Sequence, residues 1–233
     1  MAFHLLINPF FISQNNPDCF LFEVSQLKLK NSNKGPIKNI PEELKYFRPF
    51  KKQLNELLNI RRNQFYYVDS ILKENKLPES FGFLPLVLSG YNSCHTTDLS
   101  SKGIWALSYI TALKKGLQIN SHIDQRMSNR LATLAAVKQL KFLMEKFKSE
   151  TWTILAFITS PSYVSNIFKE SKSKNWDIAQ ELIDTKYLQN IELINWLNKL
   201  DLKDFNGNYK TKNKDIHTIV PPPITNILNL FFF

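Results

Sequence analysis

The chain has 233 residues, 43% of them hydrophobic, which is enough for one sizeable core or for one domain with extensions. Its 6 glycines and the lack of an internal repeat exclude propellers, solenoids and glycine-rich β architectures. The net charge of +10 favours a polyanionic partner (nucleic acid, anionic lipid or an acidic cell-wall polymer), or else reflects a general bias towards lysine and asparagine.

No dense run of Lys and Arg is interleaved with aromatic residues, so nucleic acid is not an expected partner. The two cysteines, Cys19 and Cys94, are too few for a disulfide framework or a zinc site, and no metal or cofactor is expected. One disulfide between them and two buried thiols both fit the sequence. We expect the thiols, because free Cys is among the most buried residue types.

The N-terminus has the composition of a poor secretory signal. The stretch MAFHLLINPFFIS is apolar but short, carries no Lys or Arg, and is interrupted at Asn8 and Pro9. No stretch approaches the roughly 18–20 apolar residues of a membrane span, so no transmembrane segment is expected. These features predict either a cytoplasmic protein or a sequence that starts downstream of its precursor's first residue.

Residues 1–40 mix apolar residues with Asn, Pro and Ser, and predict an irregular N-terminal arm. Alternating apolar residues over Phe20–Lys30 fit a strand, and the turn residues of Asn31–Pro41 predict a loop. We therefore place a domain boundary after residue 40.

Helical patterns begin at Glu42. Apolar residues at helical spacing predict helices from there to Leu72, and again over Glu79–Tyr91, Gly103–Leu117, Asn129–Lys148, Trp152–Thr159 and Trp176–Leu200. In the clearest of these, one apolar stripe is predicted from Leu131, Leu134, Val137, Leu140, Met144 and Phe147. The predicted fold class is mainly α, with a helical domain over 41–170 and a C-terminal helical extension with an apolar tail over 171–233.

The tail is polar up to His217 and apolar at its end. Pro221–Pro223 predicts a polyproline II segment or a spacer. The final NILNLFFF needs a groove, a membrane surface or a protein partner to cover it.

Four short motifs follow one another in the helical region. They are LPLVLS at Leu84–Ser89, GIW at Gly103–Trp105, DQR at Asp124–Arg126 and AFITSP at Ala156–Pro161. Their order and spacing, over about 46–164, resemble the lytic transglycosylases of the lysozyme-like superfamily, in particular the murein transglycosylase D group. The resemblance implies a lysozyme-like helical fold, a glycan cleft, peptidoglycan strands or envelope proteins as partners, and a location in the cell envelope or periplasm.

The chain departs from this family at the positions that carry its cleft chemistry. The family's LPLVES reads LPLVLS, so Leu88 stands where the resemblance puts the catalytic Glu. In the second motif Ala106 replaces a Gln, and in the last motif Ile158 and Thr159 replace the Tyr and Asn of AAYNAG. The positions expected to form the former cleft or to bind glycan, called here the cleft-motif residues, are Leu88, Ser89, Tyr91, Asn92, Trp105, Ala106, Ile158 and Thr159. For the two aromatic rings among them, we expect packing in the core rather than stacking on sugar.

The resemblance implies a mechanism in which one Glu protonates the glycosidic oxygen and later deprotonates the sugar's own primary hydroxyl. Leucine does neither, and losing a positioned acid or base costs about 10²–10⁴ in rate. Substitute acids would have to come from Glu79, His95, Asp98 or Asp124. We expect Glu79 to be a first-turn residue favoured by the helix dipole, the two loop residues to be solvated, and Asp124 to form a structural ion pair with Arg126.

The sequence therefore predicts a catalytically inactive lytic-transglycosylase-like protein that acts as a cell-envelope scaffold or a peptidoglycan-binding module. Two alternatives remain open, namely an active lytic transglycosylase with a relocated acid and a basic binding module for anionic polymers. A carboxyl group within about 3 Å of the glycosidic oxygen distinguishes the first alternative. Steep salt dependence of binding distinguishes the second.

Overall fold

The structure is a computed structural model that describes residues 37, 39–97 and 100–200, without the side chains of residues 63 and 64. The predicted strand, most of the predicted arm, Cys19, Asp98 and the apolar tail lie outside the described residues. Within those ranges the chain is mainly α and has no strand, only three isolated antiparallel bridges, which confirms the predicted fold class. None of the described helices combines the length and the apolar character that a bilayer crossing requires.

The described residues form nine α-helices joined by turns and short 3-10 segments. In chain order the helices are α1 Lys51–Gln64, α2 Tyr66–Glu74, α3 Leu84–Ser89, α4 Tyr109–Lys114, α5 Asn129–Phe147, α6 Glu150–Ile158, α7 Pro161–Ser171, α8 Trp176–Ala179 and α9 Thr185–Lys199. The 3-10 segments are Glu42–Phe50, Glu79–Phe83, Gln125–Met127 and Gln180–Leu182. The helical stretches predicted from Glu42 and from Trp176 are thus each divided into shorter helices.

The stretch Glu79–Tyr91 was predicted as one helix and forms a 3-10 turn followed by α3. Pro85 lies in the first turn of α3, where its missing N–H would have no partner in any case. Gly90 ends the helix in the left-handed conformation, with φ 59°, and its N–H donates to the Leu86 carbonyl at 3.1 Å. The result is a very short helix whose last turn carries Leu88 and Ser89.

The prediction of a helix that starts at Gly103 is wrong in its boundary. Gly103–Ala106 forms a turn, and α4 begins only at Tyr109. Ser108 caps this helix, because its side-chain oxygen accepts a hydrogen bond from the Thr111 N–H at 3.2 Å. The second motif therefore lies in a turn before the helix rather than on it.

The long helix α5 ends one residue before its predicted end at Lys148 and buries a different face. Of the predicted stripe, Val137 and Leu140 are buried, whereas Leu134 is 41% exposed. The buried face is built largely from small side chains, namely Ala132, Thr133, Ala135, Ala136, Val137, Leu140 and Leu143. Small residues let neighbouring helices approach closely, and α5 packs against both α6 and α2.

Helix α9 packs against the 3-10 turn Glu79–Phe83, against α6 and against α3. The described residues up to Leu200 therefore belong to one compact unit. A C-terminal extension can pack on the domain that it follows, so these contacts of α9 do not decide whether the domain ends at residue 170. The predicted division into 1–40, 41–170 and 171–233 therefore remains a prediction. What matters for the site is that α3 is held by packing along its length, with Leu84, Pro85, Leu86 and Val87 all buried.

Candidate functional site

The end of α3 is joined to the second motif by Ser89. Its hydroxyl oxygen lies 2.7 Å from the Ile104 carbonyl oxygen and 3.1 Å from the Pro85 carbonyl oxygen. The hydroxyl has one proton and donates it to one or the other of these two carbonyls. Leu88, the residue before it, is half-buried, unlike the four residues that precede it. The structure thus joins Ser89, the residue after the position expected for a catalytic Glu, to the turn Gly103–Ala106.

Backbone contacts fix the shape of that turn. The Gly103 N–H donates to the His95 carbonyl at 3.0 Å, and Lys102 and Leu107 exchange two backbone hydrogen bonds of 3.0 Å each. Gly103 has φ 79° and Ala106 has φ 44°. A Cβ added to Gly103 would lie 1.9 Å from the Arg126 carbonyl oxygen, so only glycine fits there.

Trp105 anchors the turn in the core. Its ring is fully buried, its Nε1 donates to the Thr133 hydroxyl at 2.9 Å, and its edge packs against Phe157 at 5.9 Å between ring centroids. Phe157 precedes Ile158 at the end of α6, so this contact joins the second motif to the last one. Trp105 presents no free face on which a sugar could stack, and the packing interpretation is the correct one.

Tyr91 is also a core residue. Its ring is fully buried and stacks on Phe65 at 5.0 Å, and its hydroxyl donates to the Gly82 carbonyl at 3.0 Å. Asn92 is buried as well, and its side-chain oxygen accepts the N–H of Cys94 at 2.8 Å. These two cleft-motif residues therefore support the frame, and neither is available to bind glycan in this structure.

The last motif ends α6. Ile158 and Thr159 are both half-buried, and the Thr159 hydroxyl donates to the Leu155 carbonyl at 2.6 Å. Together with Leu88, Ser89 and Ala106, these are the cleft-motif residues that keep some exposure. None of them carries a carboxyl group.

Asp124 and Arg126 form the predicted structural ion pair, which is confirmed. Arg126 is 4% exposed and donates from Nε to Asp124 Oδ1 at 2.9 Å and from Nη2 to Oδ2 at 2.6 Å. Its Nη1 donates to the carbonyls of Ser100 and Leu107, at 2.9 and 3.3 Å. One guanidinium thus closes the loop that contains the second motif.

The pKa of the Asp124 carboxyl reflects two opposed causes. Burial favours the protonated acid and would raise this pKa, but hydrogen bonds and charge from Arg126, with Lys102 3.5 Å away, outweigh burial and lower it. Asp124 therefore stays ionised and paired, and it is a poor candidate for a proton donor.

Of the other proposed substitutes for the acid, Glu79 and His95 lie within the described residues. Glu79 is exposed on the 3-10 turn before α3. Burial lowers the pKa of His95 below its ordinary value of 6.5, so its imidazole is neutral at pH 7. Asp98 lies outside the described residues. The described part of the chain holds no cluster of three His, Cys, Asp or Glu residues arranged for a metal.

One feature of the site was not foreseen, and one expectation about it is wrong. Arg61 and Asp69 form a partly buried ion pair, 2.5 Å from Nη2 to Oδ1, and Arg61 Nε also donates to the Gly82 carbonyl at 3.3 Å. Burial raises the pKa of Asp69 even though Arg61 opposes it. In addition, Cys94 is disulfide-bonded, so the expectation of a free buried thiol is wrong for this residue.

Replacing Thr133 should reveal how much the Trp105 anchor contributes. Thr133→Val keeps the side-chain shape but leaves the buried Trp105 N–H without an acceptor, which should lower the free energy of unfolding by about 1–3 kcal/mol. Urea unfolding measures this change. Thr133→Ser keeps the hydroxyl and is the matched control. A Ser variant that is less stable than the Val variant would contradict the assigned hydrogen bond.

No model of a known protein family matches the sequence. The chain is 23% identical, over 159 residues, to membrane-bound lytic murein transglycosylase D of Escherichia coli K12 and to the protein of the same description from Escherichia coli O6:H1. The match covers 67% of this chain and 34% of each relative, so the chain spans about a third of the relatives' length. This supports a distant, lytic-transglycosylase-like relationship and a lysozyme-like assignment of the helical fold.

Proposed function

We propose that the chain is a catalytically inactive, lytic-transglycosylase-like domain that serves as a cell-envelope scaffold or a peptidoglycan-binding module. The observation that carries the proposal is that Leu88 occupies the position where the resemblance puts the catalytic Glu. It lies at the end of a helix that keeps its contacts to the neighbouring motif. Ser89 reaches the Ile104 carbonyl, Arg126 closes the loop, and Trp105 packs on the end of α6. A cleavage reaction of this type needs a proton donor at that place, and leucine has no proton to give.

Several features support an inactive domain over an active enzyme with a relocated acid. Among the substitutes considered, Asp124 is ionised and tied to Arg126, His95 is neutral, and Glu79 is exposed on the turn before α3. The cleft-motif residues that keep some exposure are Leu88, Ser89, Ala106, Ile158 and Thr159, and they offer hydroxyl and apolar groups only. Such a surface suits packing or weak binding better than acid catalysis.

The proposed location is the cell envelope. The relatives are described as membrane-bound and as acting on murein, which suggests the same compartment for this chain. The disulfide at Cys94 supports it independently, because disulfides persist in oxidising compartments and are rare where thiols are kept reduced.

Incubation with purified peptidoglycan tests the proposal. Mass spectrometry of the soluble products should find no anhydro-muropeptides, whereas a known lytic transglycosylase in a parallel reaction releases them. Sedimentation of the same sample then separates the two roles, because a binding module is retained by the insoluble glycan and a scaffold is not. Anhydro-muropeptides released by this protein would contradict the proposal.

A further inference from the structure

Lysines of two helices meet where the end of α4 approaches α5. Lys138 Nζ donates to the Lys115 carbonyl at 3.2 Å, and Lys115 Nζ lies 4.8 Å from the ring centroid of Phe142. Lys114, the neighbour of Lys115, completes what we call the lysine patch. Among the described residues, none of the three forms a salt bridge with a carboxylate.

The lysine patch is a site of like-charge repulsion. Burial lowers the pKa of Lys115, and the charges of Lys114 and Lys138 lower it further. Ammonium groups held together without a carboxylate produce a local positive potential that favours an incoming anion. The lysine patch therefore favours the binding of a negatively charged group.

Exposed apolar side chains lie next to the lysine patch. Leu134 and Phe142 stand four residues before and after Lys138 on α5, so the three residues form one row, and the two apolar members are 41% and 46% exposed. On α4, Ile110 and Leu113 precede Lys114 and are 64% and 43% exposed. Lysines and large apolar side chains thus share one region of the surface.

We propose that this region, formed by the lysine patch with Ile110, Leu113, Leu134 and Phe142, docks on the surface of an anionic lipid bilayer. Lysine ammonium groups bind the phosphates of lipid headgroups, and adjacent apolar side chains enter the boundary of the acyl chains. Binding of a soluble polyanion would leave the exposed Ile, Leu and Phe side chains in contact with water. A protein partner fits less well, because lysine is depleted at protein–protein interfaces. The inference does not depend on the proposed function.

Vesicle sedimentation with the full chain tests the lysine patch. The protein should bind vesicles of phosphatidylcholine with phosphatidylglycerol, should not bind pure phosphatidylcholine, and should lose binding as salt is raised. The triple change Lys114→Gln, Lys115→Gln, Lys138→Gln should weaken binding on the order of 100-fold, since each lysine near an anionic membrane contributes substantially. The matched control removes the same charge from exposed positions of another region, through Lys169→Gln, Lys172→Gln and Lys174→Gln. It should bind almost as well as the unchanged protein.

A second pair of variants tests the apolar part. The double change Ile110→Ser with Phe142→Ser should weaken vesicle binding at least about tenfold. The free energy gained by removing the apolar Ile110 and Phe142 side chains from water would be lost. Ile178→Ser with Leu182→Ser is the control, since both side chains are exposed on and just after α8. Thermal unfolding checks that each variant is folded.

Four outcomes would overturn the proposal. The first two are no binding to the anionic vesicles and equal binding to anionic and uncharged vesicles. The third is an equal loss of vesicle affinity in a patch variant and its control. The fourth is binding to both vesicles and soluble polyglutamate with an affinity that the serine substitutions do not change. The last result would identify a site for soluble polyanions instead. Selective loss in both patch variants would support the bilayer.

Discussion

Gly103→Ala should lower the free energy of unfolding by about 2–5 kcal/mol. The left-handed backbone at this position, with φ 79°, costs an alanine roughly 1–2 kcal/mol. The new Cβ would also lie 1.9 Å from the Arg126 carbonyl oxygen, and relieving such an overlap by backbone movement typically costs about 1–3 kcal/mol more. Urea unfolding followed by circular dichroism measures the sum.

Gly116→Ala separates the two contributions. Gly116 also has positive φ, at 92°, but an added Cβ would meet only the end of the flexible Lys138 side chain, at 3.8 Å. We expect this control to show the backbone cost alone, about 1–2 kcal/mol. Equal destabilisation by the two variants would mean that the turn is not packed against Arg126 as described.

Arg126→Met should destabilise the protein by about 3–5 kcal/mol, because it leaves the largely buried Asp124 carboxylate without its main partner and frees two carbonyl oxygens. The matched control is Arg48→Met. Arg48 also pairs with a carboxylate at 2.5 Å, but both side chains are more than half exposed, and such pairs contribute about 0–1 kcal/mol. A loss from Arg126→Met no larger than that from Arg48→Met would refute the structural role of the buried pair.

The same ion pair should appear in the pH dependence of stability. The pKa of Asp124 is lower in the folded chain than the ordinary value of about 3.9 for an unfolded one. The stabilisation is therefore fully present above that ordinary value and is lost as pH falls through the lower, folded pKa. Asp124→Asn should show a smaller loss of thermal stability on acidification than the unchanged protein, as measured by thermal unfolding at a series of pH values.

Much of the helical framework could be predicted from local sequence signals. The helix α5 was predicted to within one residue from its periodic apolar residues, and α6 to within two residues from an apolar run. The ion pair between Asp124 and Arg126 was also predicted. Interruptions of helices were harder to predict. The apolar residues of Glu79–Tyr91 continue a helical pattern, but Pro85 and Gly90 confine α3 to six residues. The buried face of α5 was misplaced because its alanines carry little hydrophobic signal, while their small size decides which side packs.

Long-range contacts were beyond the reach of sequence patterns. Nothing local to Arg61 indicates that its guanidinium binds both Asp69 and the Gly82 carbonyl, 21 positions away. A disulfide at Cys94 was one of two possibilities and not the expected one, because the general burial of free cysteines does not tell whether two sulfur atoms come within bonding distance. The burial of Tyr91 and Trp105 depends on partners from other segments, namely Phe65 and Thr133, and so the choice between core and ligand-binding roles required the structure.

Leu88→Glu tests most directly the proposal that Leu88, Ala106, Ile158 and Thr159 together, rather than Leu88 alone, leave this chain without lytic transglycosylase activity. This variant places a carboxyl group at the end of α3 but leaves Ala106, Ile158 and Thr159 unchanged. Incubated with purified peptidoglycan beside Leu88→Gln as the uncharged control, the Leu88→Glu protein should release no anhydro-muropeptides detectable by mass spectrometry. Release of anhydro-muropeptides by Leu88→Glu, and not by Leu88→Gln, would contradict this proposal and show that the acid alone is needed.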